Sequence, residues 1–211
     1  ESVAIETAFI AALYRMGSVF LLAVFIITSQ IREVKDKGLD LLLSLPISRA
    51  LFFVGKFWGY ASCALIAAAV ISLPLFLLVP PVQVLAWGIS LALELLIITA
   101  ASLFFVMALT HSMGSLLSVM GLYLLSRTMA ALQLMGATSL VETSGVVRQI
   151  TNGMLNAIAV LLPRLDLFTQ TSWLVNHAGG MADLPALALQ TLIYVTLLVG
   201  AALFDLYRKN Y

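Results

Sequence analysis

Five long apolar runs constrain this chain more than any other feature: Phe9–Ile31, Phe57–Val79, Val84–Thr110, Gly114–Met135 and Leu184–Leu206. Crossing the ~30 Å hydrocarbon core of a bilayer takes about 20 helical residues, and each run is long enough. None alternates in the way of a barrel strand. In lipid only helices and closed barrels satisfy their own backbone, so the runs predict membrane-spanning helices. Composition agrees: 62% of residues are hydrophobic, 10% are charged and mean hydropathy is +1.09. A soluble core of this size has no room for so many aliphatic side chains. The expected fold is therefore all-α and polytopic, a single transmembrane domain over residues 1–211.

Charged residues concentrate between the runs. Arg32, Lys35, Lys37, Arg49, Lys56, Arg208 and Lys209 fall on one side of the predicted topology. Arg15, Arg148 and Arg164 fall on the other, and Arg127 lies inside a span. The positive-inside rule places the richer side, with the C-terminus, in the cytoplasm. Five crossings then put Glu1 outside, and with no cleavable signal in view one further helix is expected before it, making six spans in the complete protein. The predicted location is the cell (inner) membrane.

Little else in the composition points to chemistry. Net charge is +1, with no basic surface for a nucleic acid. Cys63 is the sole cysteine, which rules out an internal disulfide or a cysteine metal site. His111, Ser112 and Ser115 cluster at a short turn, where Ser112 or Ser115 reads as a helix cap rather than half of a catalytic dyad. His177 stands apart, so neither a zinc site nor a metalloenzyme is expected. Gly55-Lys56 is followed by Phe57, and position 50 is Ala, so the phosphate-cradling P-loop pattern is missing. ATP hydrolysis by that route is excluded, and the chain is not read as an enzyme.

The polar stretch 31–56 is an elbow between two spans. Ile31, Val34, Leu41, Leu42 and Leu45 lie near one helical face, with Arg32, Asp36 and Asp40 opposite. Glu33 and Lys37 are four apart in the favourable order. Pro46 ends that helix, and Ser48 is placed to cap the next, which would run almost unbroken to Val79. The mixed charge of the exposed face (Glu33, Asp36, Lys37, Asp40) suits a protein partner better than a lipid surface, where a basic face is favoured.

Arg32-Glu33, the stretch Gly38-Leu-Asp40-Leu-Leu-Leu-Ser-Leu-Pro46-Ile-Ser-Arg49 and the pair Gly55-Lys56 together resemble the first cytoplasmic loop of ABC-2-type transporter permeases. Pro163-Arg-Leu-Asp-Leu-Phe168 resembles a segment before the last span in some members. The resemblance implies that the elbow is a coupling helix seated on a separate ATP-binding-cassette ATPase subunit. Arg32, Glu33, Asp36, Lys37, Gly38 and Asp40 would line that contact. It also implies a homodimer of permeases, ATP and Mg on the partner rather than any cofactor here, and a possible extracytoplasmic accessory protein. An ATP-driven exporter is the function expected. The alternatives are an ion-coupled secondary transporter, or a non-transporting membrane scaffold of an extracytoplasmic assembly system.

Two regions remain. Segment 136–183 is predicted to be extracytoplasmic, with an amphipathic helix over Gly145–Leu162, ended by Pro163, and Asp183 placed to cap the last span. Glu94 and Arg127 are the charges within apolar spans, at depths that differ by only about 3 Å at 1.5 Å per residue. Burying either alone is costly, so the two are expected to pair, as a structural ion pair or as a cargo or gating contact.

Overall fold

A computed structural model describes residues 2–35, 48–109, 111–137, 153, 162–175 and 181–208. Among these the chain is helical, with no strand. Six α-helices follow in order: α1 (Ser2–Lys35), α2 (Arg49–Ser72), α3 (Pro81–Leu109), α4 (Ser112–Ala137), the short α5 (Thr171–Val175) and α6 (Leu184–Arg208). Among the described residues four helices are long and apolar enough to cross a membrane, drawn from α1, α2, α3 and α6. The remaining predicted run, 114–135, lies within α4.

The centre of the bundle is α3. In its most apolar stretch 67% of residues are buried, against 17% for α6, so α3 is enclosed while α6 turns most of its surface outward. Apart from a few buried polar residues such as Ser90 and Glu94, helix α3 is apolar on all sides, as expected of a helix surrounded by other helices. It packs against α1, α2, α4 and α6, with Trp87, Leu91, Leu95 and Ile98 fully buried. Large apolar side chains remain outside the bundle on every long helix, among them Phe20, Ile66, Leu117 and Leu197. In water this would be untenable; against hydrocarbon it is the expected state.

Helix boundaries follow local chemistry. Ser48 caps α2, its Oγ accepting the Leu51 N–H at 3.3 Å. Helix α2 does not continue to Val79 as an α-helix. It ends at Ser72 and tightens into a 3-10 turn over Leu73–Leu77. Pro74 has no N–H to give and crowds the preceding turn, which forces the change. Pro81 opens α3, where a missing N–H costs nothing. Pro185 sits in the first turn of α6, two residues after Asp183, whose carbonyl accepts the Leu187 N–H.

At the start of α4 the Ser115 hydroxyl donates to the His111 carbonyl at 2.8 Å and lies 3.2 Å from the Phe105 carbonyl. It bonds backwards to carbonyls rather than capping an N–H, and so ties the beginning of α4 to the end of α3. The predicted outer helix 145–162 lies outside the described residues, apart from residues 153 and 162.

Candidate functional site

Polar side chains meet inside the bundle around one irregular turn. Helix α3 carries Ser90 and Glu94 four residues apart, hence on one face, and both are fully buried. Helix α4 presents Tyr123 and Arg127 with the same spacing, and Tyr123 is 3% exposed. Arg15 comes from the middle of α1. Glu94 lies 15 residues from the Leu109 end of α3, and Arg127 lies 15 residues from the Ser112 end of α4, so both sit about 22 Å from the ends where those helices join.

Into this space dips the segment that follows Pro163. It forms a 3-10 turn over Leu165–Leu167, and Leu165 and Phe168 are completely buried. Next comes Thr169, whose φ of 43° lies in the left-handed region, unusual for a β-branched residue. Each polar group of Thr169 is matched. Its N–H donates to Ser90 Oγ at 2.9 Å, its hydroxyl to Glu94 Oε2 at 2.7 Å, and its carbonyl accepts from Arg15 Nη1 at 3.1 Å. Arg127 Nη1 donates to the carbonyls of Leu165 and Phe168, the latter at 2.9 Å.

Irregular backbone at membrane depth is tolerated only where protein or enclosed water satisfies its peptide groups. Here two arginines and a serine do so, and Glu94 takes the Thr169 hydroxyl. The apolar pegs fill space, the polar groups fix orientation, and the turn is bolted to α1, α3 and α4 at once.

Glu94 and Arg127, expected to pair, are brought to 3.7 Å between Oε1 and Nη1. That is an ion-pair distance but longer than a hydrogen bond. The guanidinium spends its hydrogen bonds on the turn, and Thr169 completes the link to the carboxylate. The pair therefore does more than set the register of two helices: it anchors a third element. Arg15, Ser90, Tyr123 and Thr169 were not singled out from the sequence. Arg15 carried the clearest signal, an arginine within the first apolar run, but it reads there as an outer flank. Thr169 carried none, since its role depends on a backbone conformation that the sequence does not announce.

The second predicted site is the elbow. Of its residues, Asp36, Lys37, Gly38 and Asp40 lie outside the described residues. Arg32 is exposed on the last turns of α1. Glu33 forms an ion pair with Lys56 of α2, with the two side chains 29% and 11% exposed. Lys56 Nζ also lies 5.1 Å from the centre of the Phe52 ring. One turn further into the bundle, the fully buried Gln30 donates to the Tyr60 hydroxyl at 3.2 Å, which donates to Ser29 Oγ at 3.1 Å. Phe25 packs edge-on to Tyr60, at 6.1 Å between ring centres. The adjoining ends of α1 and α2 are thus held by a two-tier clasp on either side of segment 36–47.

Comparison with protein-family models, with curated proteins and with solved structures finds no match to this chain.

Proposed function

We propose that this chain is the permease subunit of an ATP-driven ABC-2-type exporter, acting as a homodimer in the cell (inner) membrane with its C-terminus in the cytoplasm. In this reading α4 also spans the membrane, as the fourth of five crossings in this chain, and segment 31–56 is a coupling elbow. ATP hydrolysis belongs to a separate subunit. That subunit contacts Arg32, Glu33, Asp36, Lys37, Gly38 and Asp40.

The observation that carries the reading is the clasp between Glu33 and Lys56, backed by Gln30, Tyr60 and Ser29. A lever works only if its ends are fixed to what it moves. With α1 and α2 tied together at the elbow and α2 capped at Ser48, a push on segment 36–47 is delivered to both helices as a unit. The resemblance of that segment to the ABC-2 loop supplies the identity of the motor.

Reversing Asp36 and Asp40 to Lys tests the reading while leaving the clasp intact. An ATP-binding-cassette ATPase that co-purifies with the wild-type chain is expected to be lost from the double variant, and permease-stimulated hydrolysis is expected to fall to the level of that ATPase alone. Unchanged assembly and stimulation in the double variant would overturn it.

A second reading draws on the Arg15–Glu94–Arg127 cluster. Intramembrane ionisable residues around irregular backbone also occur in ion-coupled secondary transporters. Uptake into reconstituted vesicles separates the two: collapse of flux by ionophores without ATP favours ion coupling, whereas dependence on ATP and the partner favours the exporter.

A further inference from the structure

Helices α2 and α3 come close at Ser72 and Gly88, where a Cβ on Gly88 would stand 3.2 Å from the serine side chain. Beside that contact the surface between the two helices is hollow. A groove of about 230 Å³ runs along the pair. Ala68, Ser72, Gly88 and Ala92 line it with small side chains, and Leu65 and Ile89 wall it. Ala68 and Ser72 are buried while Leu65 and Ile89 are about half exposed, so the groove opens away from the bundle. Small residues that let two helix backbones approach also leave this hollow at their seam.

Length and depth match one leaflet of a bilayer. The lining runs from Leu65 to Ser72 on α2 and from Val84 to Ala92 on α3, about 10–12 Å of helix at 1.5 Å per residue. It begins three residues after Pro81, where α3 starts, and so lies in the half of the spans nearer the 73–80 connection. Half of a ~30 Å hydrocarbon core is about 15 Å. Polarity narrows the occupant further. An enclosed water needs two to four polar partners. Among the described residues lining the groove only Ser72 has a polar side chain, and its hydroxyl donates to the Ala69 carbonyl at 2.9 Å. A second copy of the chain needs more surface, since a standard interface takes about 20–30 residues a side and nine line this groove. Residues 57–93 carry no charged side chain, so neither helix offers a headgroup a charged partner along this half. What fits is a slender apolar chain, held by close contact.

We propose that the α2–α3 groove is a lipid site that retains one acyl chain of a bilayer phospholipid, drawn from the leaflet on the side of the 73–80 connection. The chain lies against Ala68, Ala69 and Ala92, between the walls of Leu65 and Ile89, and covers the Ser72–Gly88 contact. The site recognises the chain and is indifferent to the headgroup. The inference needs only that α2 and α3 lie in a bilayer, and it stands whether or not the protein works with an ATPase.

The test uses the full chain reconstituted with dioleoyl phosphatidylcholine. A photoreactive diazirine amino acid replaces Ile89 on the groove wall or, in a separate variant, Ile66, which is exposed on α2 and does not line the groove. Each is extracted, washed extensively in mild detergent and illuminated, and intact mass reads the adduct. The phospholipid adduct is expected to survive washing at Ile89 and to be lost at Ile66. Adding Ala69→Leu and Ala92→Leu fills the groove and should remove the adduct at Ile89. Ala69→Leu alone serves where the pair does not fold.

Phosphatidylglycerol and phosphatidylcholine with identical chains should give equal adducts at Ile89, whereas dihexanoyl phosphatidylcholine, too short to fill the groove, should give little. Equal behaviour of Ile89 and Ile66 after washing overturns the proposal, since the groove then meets only the mobile lipid around the protein. An adduct to protein at Ile89, whether a second copy or another segment of this chain, overturns it as well. So does a strong preference for one headgroup, which places recognition outside the groove.

Discussion

Thr169 donates its hydroxyl hydrogen to Glu94 Oε2 at 2.7 Å from a backbone held at φ 43°. A strained residue on the turn is thereby locked to a carboxylate at the centre of α3, and the lock explains why the strain persists. Thr169→Val keeps the shape and removes the donor. It should lower stability by about 1–3 kcal/mol, the cost of leaving a buried acceptor unmatched. Thermal unfolding in detergent measures this, and a Val variant that melts with the wild type would show that the hydroxyl does not hold the turn. Thr169→Asn, which tolerates the left-handed region and keeps polar atoms, should fall between the two.

Glu94 and Arg127 should be energetically coupled. Either Glu94→Gln or Arg127→Gln leaves its partner buried and uncompensated, at about 3–5 kcal/mol. The double variant should cost clearly less than the sum of the singles, by 1 kcal/mol or more on the order expected for contacting groups. Additive losses in a chemical-denaturation cycle would mean that each side chain acts only on the turn and not on the other.

The clasp at the elbow invites a charge swap. Glu33→Lys or Lys56→Glu alone places like charges together and should loosen the ends of α1 and α2. The double swap should restore most of the loss, about 1 kcal/mol for a partly exposed pair. Thermal unfolding of the three variants in detergent measures this, and equal melting in all three would show that the deeper tier, rather than the ion pair, holds the two helix ends.

Close approach of α2 and α3 depends on Gly88. A Cβ built there meets Ser72 Cβ and Oγ, each at 3.2 Å, and Ser72 Oγ is fixed by its bond to the Ala69 carbonyl at 2.9 Å. Gly88→Ala therefore requires a small shift of the helices, whereas Gly88→Val should destabilise by about 1–3 kcal/mol through overpacking. Smaller losses in a Gly88→Val, Ser72→Ala double variant would locate the clash.

Much of the architecture was legible before folding. The apolar runs located α3, α4 and α6 to within about three residues, because the length of a span is dictated by the thickness of hydrocarbon. By contrast, α1 starts at Ser2, well before Phe9, and α2 covers Arg49–Ser72 rather than Phe57–Val79. Ser48 was legible as a cap because its side chain needs only the next three residues to act. The tightening after Ser72 was not foreseen, although Pro74 was in plain view, because the run around it is apolar enough to conceal a break. Glu33 was read against Lys37, its neighbour on the same helix; in the fold its carboxylate faces Lys56, which the return of the chain brings beside it.

The sequence by itself determined that this chain lives in lipid, that its backbone must be helical there, and that Glu94 and Arg127 could not remain uncompensated. Those conclusions need only local composition and the energetics of the bilayer. Only the tertiary structure decided that Arg15 joins them and that the turn after Pro163 is what they hold. Peptide carbonyls carry no sequence signature, and two helices far apart along the chain, α1 and α3, had to converge before Thr169 could meet Ser90, Glu94 and Arg15 together.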